Sequence, residues 1–290
     1  MAKYIVTFLA ILFCIAFFIK GCGNNSEYEQ YPLEPTEISE VIDTLEQNLD
    51  TCSNIVFSET YISDIEIPRI CNNIAEQILI RTGYTCSYNQ DTRNANWVAW
   101  HLSKEHTDGP WSRKGLPYIE DSDVIGAKQE LSDWYNHNLN IDHGHLCPAG
   151  DNKWDKDAMI ESFLLTHMCP QNSNLNQGIW ETLESRCRGW ARHYGEIYIV
   201  AGPIFYNSYK TIGANKVGVP DAFYKVILCL VDEPKALGFI FQNEIPEYNS
   251  IKDYMCSVDE VEKITQIDFF YNLEDSIENK VEAVSNLNIW

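Results

Sequence analysis

The sequence is short of positive charge. Its 290 residues contain 21 Lys and Arg against 42 Asp and Glu, which gives a formal net charge of −21 at pH 7. Because a protein this acidic repels polyanions over most of its surface, a generally basic binding face is excluded. Any site for a polyanion must therefore be a local positive patch, and a divalent cation would help to build it.

The chain also lacks internal repeats, low-complexity segments and, apart from its N-terminus, long apolar runs. Residues 4–19 are almost continuously apolar, and this stretch ends at Lys20-Gly21-Cys22. That is the layout of a signal peptide, with an apolar core too short for a comfortable membrane span. A small residue directly before Cys22 resembles a bacterial lipobox and predicts that Cys22 becomes the lipidated N-terminus. Lys20 is atypical there, so simple secretion or an uncleaved anchor stays open.

Three segments follow from this pattern. Residues 1–21 are the predicted lipoprotein-like signal peptide; their removal takes away two lysines and no acidic residue, which moves the net charge from −21 to −23. Residues 22–64 form a polar tether and an amphipathic helix over 37–50 (EISEVIDTLEQNLD), and 65–290 form the main domain. We expect an exported protein, held at the cell envelope by its lipid or secreted.

The cysteines show no regular spacing. Eight of the ten follow Cys22. An even count in an exported protein permits disulfides, but buried free thiols are equally open in a domain of this size.

From residue 65 onward the pattern predicts a sheet with inserted helices. Strand-like runs occur at 97–102, 197–201, 225–231 and 236–241, the last two as a hairpin. Helices are predicted at 156–167, 174–194 (ended by Gly195) and 273–284. This mixture indicates an α+β domain with a central antiparallel sheet flanked by helices.

The helix predicted at 174–194 has a polar stripe of Asn176, Glu184 and Arg188. Residues at four-residue steps lie along one slowly winding face of a helix. In a metal-assisted phosphoryl-transfer site, Asn176 can give Mg²⁺ an oxygen, Glu184 can hold the metal's waters and Arg188 can meet a phosphate. The alternative is a solvated face with a Glu184–Arg188 ion pair, and this helix by itself favours that alternative.

The stretch DHGHLCPAGD, residues 142–151, supplies two histidines. His145 is a candidate general base, because an unperturbed pKa of about 6.5 lets imidazole accept a proton at neutral pH. Asp142 is a candidate for orienting it. In a strand, His143 and His145 point to the same side.

Two His-x-Cys units suggest a rival site. His145 with Cys147 and His167 with Cys169 are a ligand set that structural zinc uses, and a zinc-stabilised domain is therefore one alternative. The single residue between the ligands of each pair is uncommon for zinc. Cys147 and Cys169 then pack as small apolar residues or form a disulfide.

Taken together, DHGHLCPAGD, CPQNSNLNQGIWETLE and IYIVAGPIF resemble the DNA/RNA non-specific endonuclease family of the ββα-metal superfamily. The family signature is Asp-Arg-Gly-His followed, about thirty residues on, by Leu-Asn-x-Gly-x-Trp-x-x-Leu-Glu. Here His145 and Asn176 are 31 residues apart, and the second half fits without a gap. The resemblance extends over about residues 65–285 and makes 65–290 an endonuclease domain with a ββα-metal finger.

The resemblance implies a role for each matching residue. His145 would be the general base and Asn176 the sole protein ligand of Mg²⁺, with Mn²⁺ as the alternative ion. Glu184 would hold the metal's waters, and Arg188 and Arg113 would stabilise the phosphate. The implied substrate is DNA, RNA or both, cut with little sequence preference because contacts to phosphate carry no sequence information. The membrane, through the lipid anchor, and a second copy of the chain are the other expected partners.

One residue of the predicted site departs from the family pattern. His143 stands where the family has arginine, and histidine lacks the permanent charge and the forked donors of arginine. His143 itself therefore belongs to the predicted site as a changed residue. The alternative function is a catalytically impaired surface lipoprotein that keeps the nuclease fold as a binding module.

Overall fold

The strand-like runs of the sequence come together in one large antiparallel sheet. The structure, a computed structural model, describes residues 64–135, 137–206 and 208–290. The strands of these residues are Arg69–Ile70 (β1), Gln77–Ile80 (β2), Thr85–Asn89 (β3), Asn94–Ser103 (β4), Ile141–His145 (β5), Met168–Asn172 (β6), Glu196–Ile204 (β7), Thr211–Ile212 (β8), Val217–Gly218 (β9), Ala222–Cys229 (β10), Lys235–Gln242 (β11), Met255–Cys256 (β12) and Ile267–Asp268 (β13).

Seven of these strands form the central sheet, in the order β12-β11-β10-β7-β4-β3-β2. All neighbouring pairs are antiparallel. The four predicted strand runs lie in β4, β7, β10 and β11, and β10 and β11 form the predicted hairpin. The three other pairs are β1 with β13, β5 with β6, and β8 with β9.

The helices flank this sheet. They are Lys156–Glu161 (α1), Ser173–Leu175 (α2), Glu181–Tyr194 (α3), Val258–Thr265 (α4) and Asp275–Glu282 (α5), with 3₁₀ turns at Glu105–Thr107, Leu131–Trp134, Ala149–Asp151, Leu165–His167, Ile251–Tyr254 and Leu287–Ile289. The predicted α+β class, with a central antiparallel sheet flanked by helices, is confirmed.

Both faces of the sheet are covered. Because successive side chains of a strand point to opposite faces, Trp100 of β4 packs with α3 residues such as Leu183, whereas Trp97 packs with Val261 of α4 and Val281 of α5. Burial on both sides explains why β4, β7 and β10 read as nearly continuous apolar runs rather than as alternating ones.

Two predicted helices are interrupted. The stretch predicted at 156–167 leaves the helix after Glu161, because the backbone of Phe163 and Leu165 hydrogen-bonds to Ile119 instead. The stretch predicted at 174–194 contains a π-helical turn over Asn176–Trp180, within which Gly178 has φ −113° and ψ −109°. Turns of this kind often occur at functional sites.

The N-terminal predictions lie outside the described residues. These are the signal peptide, lipidation at Cys22 and the helix at 37–50, and they stay predictions. No helix of the described part has both the length and the apolar character needed to cross a bilayer.

Gly195 and Gly189 allow a test of whether the backbone conformation after α3 ends this helix. Gly195, just after the helix, has φ +100°, whereas Gly189 lies inside the helix; a Cβ on either would meet open space. We expect Gly195→Ala to destabilise the protein by about 1 kcal/mol, because an L side chain disfavours that φ. Gly189→Ala should stabilise it by roughly 0.5–1 kcal/mol, since alanine favours helix.

Urea unfolding followed by circular dichroism measures both changes. Equal effects of the two substitutions would show that the backbone conformation at Gly195 is not what ends the helix.

Candidate active site

A hairpin and the helix after it build the site. β5 pairs with β6, with Gly144 opposite Cys169, and β6 leads directly into α2, the π-turn and α3. A side chain at Gly144 would overlap that of Gln171, so glycine is required for the two strands to approach. The result is a β-β-α unit set against one face of the central sheet.

This unit and residues 109–118 enclose a cavity of about 900 Å³. All six residues predicted for the site line it: Arg113, His143, His145, Asn176, Glu184 and Arg188. The polar stripe on the helix therefore faces a cavity and not bulk solvent.

His145 lies at the inner wall of the cavity. Its side chain is 9% exposed, and Nε2 has no hydrogen-bond partner in the described protein. Burial, helped by the positive charge of Arg113, lowers the pKa of His145 to about 3, so the imidazole is neutral at pH 7. A neutral imidazole carries one unprotonated nitrogen and is therefore able to accept a proton.

The residues that contact the His145 ring differ from the prediction. Asp142, the predicted partner, hydrogen-bonds to other residues. The His145 ring instead packs edge-on against the rings of Phe163 and His167, at centroid distances of 5.6 and 5.7 Å. The backbone carbonyl of His145 accepts a hydrogen bond from Trp180 Nε1 at 3.3 Å, which joins β5 to the helix.

Asp142 orients Asn176. Its Oδ2 accepts hydrogen bonds from Asn176 Nδ2 (2.9 Å) and Gln177 Nε2 (2.8 Å), and its Oδ1 accepts one from Ser173 Oγ (2.7 Å). Burial opposes ionisation of Asp142, but these hydrogen bonds outweigh it and lower the pKa of the carboxyl group. With its nitrogen held in this way, Asn176 has its carbonyl oxygen left for a ligand in the cavity.

Glu184 and Arg188 do not pair with each other. Arg188 Nη1 donates to Asp151 Oδ1 at 2.8 Å, and Nη2 donates to Ser185 Oγ at 3.1 Å. Burial raises the pKa of Glu184 to about 7, although the charge of Lys225 opposes this. The alternative interpretation of these residues as a solvated ion pair on the helix surface is therefore wrong.

Two charged residues beneath the site escaped the sequence analysis. Asp151 is 3% exposed and accepts hydrogen bonds from Arg188 and from Trp100 Nε1. Lys225 is fully buried, with its Nζ unpartnered and 4.3 Å from the centroid of a Trp180 ring. A signal existed for each: Asp151 ends the stretch DHGHLCPAGD, and Lys225 interrupts an otherwise apolar strand, AFYKVILC.

His143 occupies an aromatic sandwich. Its ring stacks on Tyr118 and on Trp134, with centroid distances of 3.9 Å on both sides and interplanar angles of 9° and 17°. Burial lowers the pKa of His143 to about 4, so the ring is uncharged at pH 7. The family's arginine position is therefore neutral here.

The rival zinc ligands do not converge. Cys147 and Cys169 are buried free thiols, and His167 Nδ1 lies 3.0 Å from Tyr84 Oη. In the described residues, the one group of three or more His, Cys, Asp or Glu close enough for a metal is Asp259, Glu262 and Glu282. The seven cysteines of that part are all free, and Cys147 and Cys169 pack in the hydrophobic core.

The charge of the cavity is balanced. Arg113, Lys153 and Arg188 line it together with Asp142, Glu181 and Glu184. The chain as a whole has a net charge of −21, so a surface with equal numbers of positive and negative side chains repels an anion less than the acidic remainder does. A bound divalent cation would make this surface positive.

Comparison with known proteins agrees with this geometry. The model of the family "DNA/RNA non-specific endonuclease" matches residues 63–276. The mitochondrial nuclease EXOG of Mus musculus is 33% identical over 211 residues, which are 67% of this chain and 57% of that protein. A nuclease of Nostoc sp. is 30% identical over 222 residues, 71% of this chain and 77% of that protein.

A solved structure shares the fold. The crystal structure of the EndoG/EndoGI complex superposes with a TM-score of 0.66 at 24% identity, covering 70% of this chain and 89% of that chain. The chain spans a little more than half the length of the EXOG nucleases that it matches. With its match over residues 63–276, its central antiparallel sheet and its ββα finger, the chain belongs to the DNA/RNA non-specific endonuclease family.

Proposed function

We propose that this chain is a nuclease that uses a divalent metal ion, Mg²⁺, with Mn²⁺ as the alternative, to hydrolyse phosphodiester bonds of DNA, RNA or both. One observation carries the proposal. A single cavity is lined by a neutral imidazole, a free amide oxygen and a guanidinium group, from His145, Asn176 and Arg188. Family membership supplies the class of reaction, since the family consists of metal-dependent nucleases.

The residues present fit a hard divalent cation. Asn176 offers a carbonyl oxygen whose orientation is fixed by Asp142, and Glu184 offers a carboxylate in the same cavity. Oxygen donors of this kind are what Mg²⁺ prefers, and it often takes only one or two of them from the protein. The raised pKa of Glu184 shows that an ionised carboxylate is unfavourable at this place without a compensating positive charge.

The chain's own residues divide the reaction between them. His145, whose ring is neutral at pH 7, takes a proton from the attacking water. Arg188, whose guanidinium is held by Asp151 and Ser185, keeps further N–H groups for a phosphate oxygen, and Arg113 approaches from the exposed rim over the ring of Phe163. When bound, the metal ion supplies positive charge for the phosphate and the departing oxygen.

The binding-module alternative rests on His143 and on the acidic net charge. The complete set of His145, Asn176, Glu184 and Arg188 in one cavity favours the enzyme, because a module that only binds has no need for a base beside a metal ligand. Attachment to the membrane through Cys22, export and self-association belong to the same proposal as predictions from the sequence.

The base is tested by His145→Ala. We expect a 10²- to 10⁴-fold loss of Mg²⁺-dependent cleavage of plasmid DNA and of RNA, the range typical for removal of a general base. His193→Ala, which changes an exposed histidine in the last turn of α3, is the matched control and should keep full activity.

EDTA should abolish cleavage by both the parent chain and the control. Absence of cleavage of either polymer by the parent chain between pH 5 and 9, with Mg²⁺ or Mn²⁺, would support the binding module instead.

The link from Asp142 to Asn176 is tested through metal affinity. Asp142→Asn removes the charge that fixes the Asn176 amide, and we expect the apparent affinity for Mg²⁺ to fall 10- to 100-fold, as for other partners of metal ligands. Ser173→Ala loses a hydrogen bond to the other oxygen of Asp142 and should change the affinity less than threefold. Mg²⁺ titration of the cleavage rate measures both, and equal losses would show that Asp142 does not act through Asn176.

The neutral ring of His143 is tested by His143→Arg. Arginine also stacks on aromatic rings and would bring a permanent charge to the cavity, so we expect tighter substrate binding and a lower KM. The slope of log affinity against log salt should become steeper by about one phosphate contact. His143→Gln, which is uncharged, should leave that slope unchanged; an unchanged slope with arginine would show that this position does not face the phosphates.

A further inference from the structure

A group of acidic side chains outside the candidate active site lies on the opposite side of the central sheet from the ββα finger (β5, β6 and α3). Asp259 and Glu262 are on α4 and Glu282 is the last residue of α5, and one carboxylate oxygen of each lies within 4.8 Å of those of the other two. Both helices pack against the face of the sheet opposite α3. This carboxylate triad, Asp259, Glu262 and Glu282, is therefore separated from the cavity by the whole sheet.

Glu282 has no protein partner for one of its oxygens. The residue is 5% exposed, and its Oε1 is buried without a hydrogen-bond donor. An unsatisfied buried charge is costly, so such an oxygen points to a ligand that the protein itself does not provide. Its position is also unfavourable, because the C-terminal end of a helix carries partial negative charge and repels a carboxylate.

No cation of the described chain compensates the triad. Of the five ion pairs formed there, none includes Asp259, Glu262 or Glu282. Arg69, which acts on neighbouring Glu278, pairs with Asp268, and Asp268 is itself a further negative neighbour of Glu282. Burial and the surrounding carboxylates raise the pKa of Glu282 to about 9 and that of Glu262 to about 7. A shared proton is thus the competing way to relieve the repulsion.

We propose that Asp259, Glu262 and Glu282 bind a structural Ca²⁺ ion that joins α4 to α5. All the donors are carboxylate oxygens, which suit a hard divalent cation and not zinc. Oxygens no more than 4.8 Å apart all lie within about 2.8 Å of a common point, so a small inward movement of the side chains gives Ca–O bonds of about 2.4 Å. Mg²⁺ requires shorter bonds and stricter geometry.

The carboxylate triad is not contained entirely within the segment that matches the family model. The family match ends at residue 276, so Glu282 lies beyond it. Glu262 is in part committed to the fold, since its Oε1 accepts the backbone N–H of Phe269 at 2.8 Å, which leaves its second oxygen for the ion. The ion would close the one charged gap between two helices whose apolar sides, Val261 and Val281, are already buried together.

Calorimetric titration of the chelator-treated full-length chain with CaCl₂ tests the site. Asn176→Ala is introduced first, so that the proposed active-site ligand is absent. We expect one Ca²⁺ per chain in this background. Glu282→Gln and Glu262→Gln should each weaken binding at least tenfold, and Asp275→Asn, an exposed carboxylate on α5 outside the triad, should leave it unchanged.

Thermal unfolding gives a second measurement. Ca²⁺ at about 100 times its Kd should raise Tm by roughly 5 °C or more in the Asn176→Ala chain, and by much less once Glu282→Gln is added. Circular dichroism at 20 °C checks that each variant is folded. Absence of Ca²⁺ binding, or binding and a Tm shift that Glu282→Gln does not reduce, would overturn the proposal and leave a shared proton as the account of the triad.

Discussion

A buried carboxylate holds the cavity together. Asp151 accepts hydrogen bonds from Trp100 on the central sheet and from Arg188 on α3, and so fixes the loop after β5 to both. Removing one partner of a buried ion pair typically costs about 3–5 kcal/mol, because the remaining charge is left uncompensated. Arg188 is therefore a structural residue in addition to its proposed contact with phosphate. Lys225, buried behind the same carboxylate, adds positive charge that opposes the cost of ionising Asp151 and Glu184.

Burial also decides which side chains of the cavity carry charge. Both histidines of the DHGH stretch are neutral at pH 7, because desolvation lowers their pKa values. For His145 this keeps the ring in the unprotonated form that a base needs, and it also makes the ring a weaker proton acceptor. For His143 it removes the positive charge that the family places there. The positive charge of the cavity then comes from Arg113, Lys153 and Arg188, and the three carboxylates that line the cavity offset it. In the proposed reaction a divalent cation would therefore serve twice: it would assist the chemistry, and it would make the cavity of this acidic protein attractive to a polyanion.

Local pattern was enough to predict much of the fold and the members of the site. Apolar runs located β4, β7, β10 and β11, and the spacing of Asn176, Glu184 and Arg188 placed them on one face, which the structure directs into the cavity. Contacts between residues far apart in the sequence could not be predicted from such local patterns. The partner of Arg188 is 37 residues away, and the rings that enclose His143 come from two separate loops. The helix at 156–167 was overestimated for a related reason, since its backbone bonds to Ile119 depend on tertiary packing.

The sheet sets a limit on communication between its two faces. β4, β7 and β10 are buried throughout most of their length, and their side chains pack alternately towards the finger and towards α4 and α5. A closely packed layer of this kind does not adjust continuously, and coupling between sites requires an element with two discrete arrangements. An ion between α4 and α5 would accordingly act on the stability of the C-terminal helices, whereas metal in the cavity would act on the reaction, and the two effects should be separable by substitutions on one face at a time.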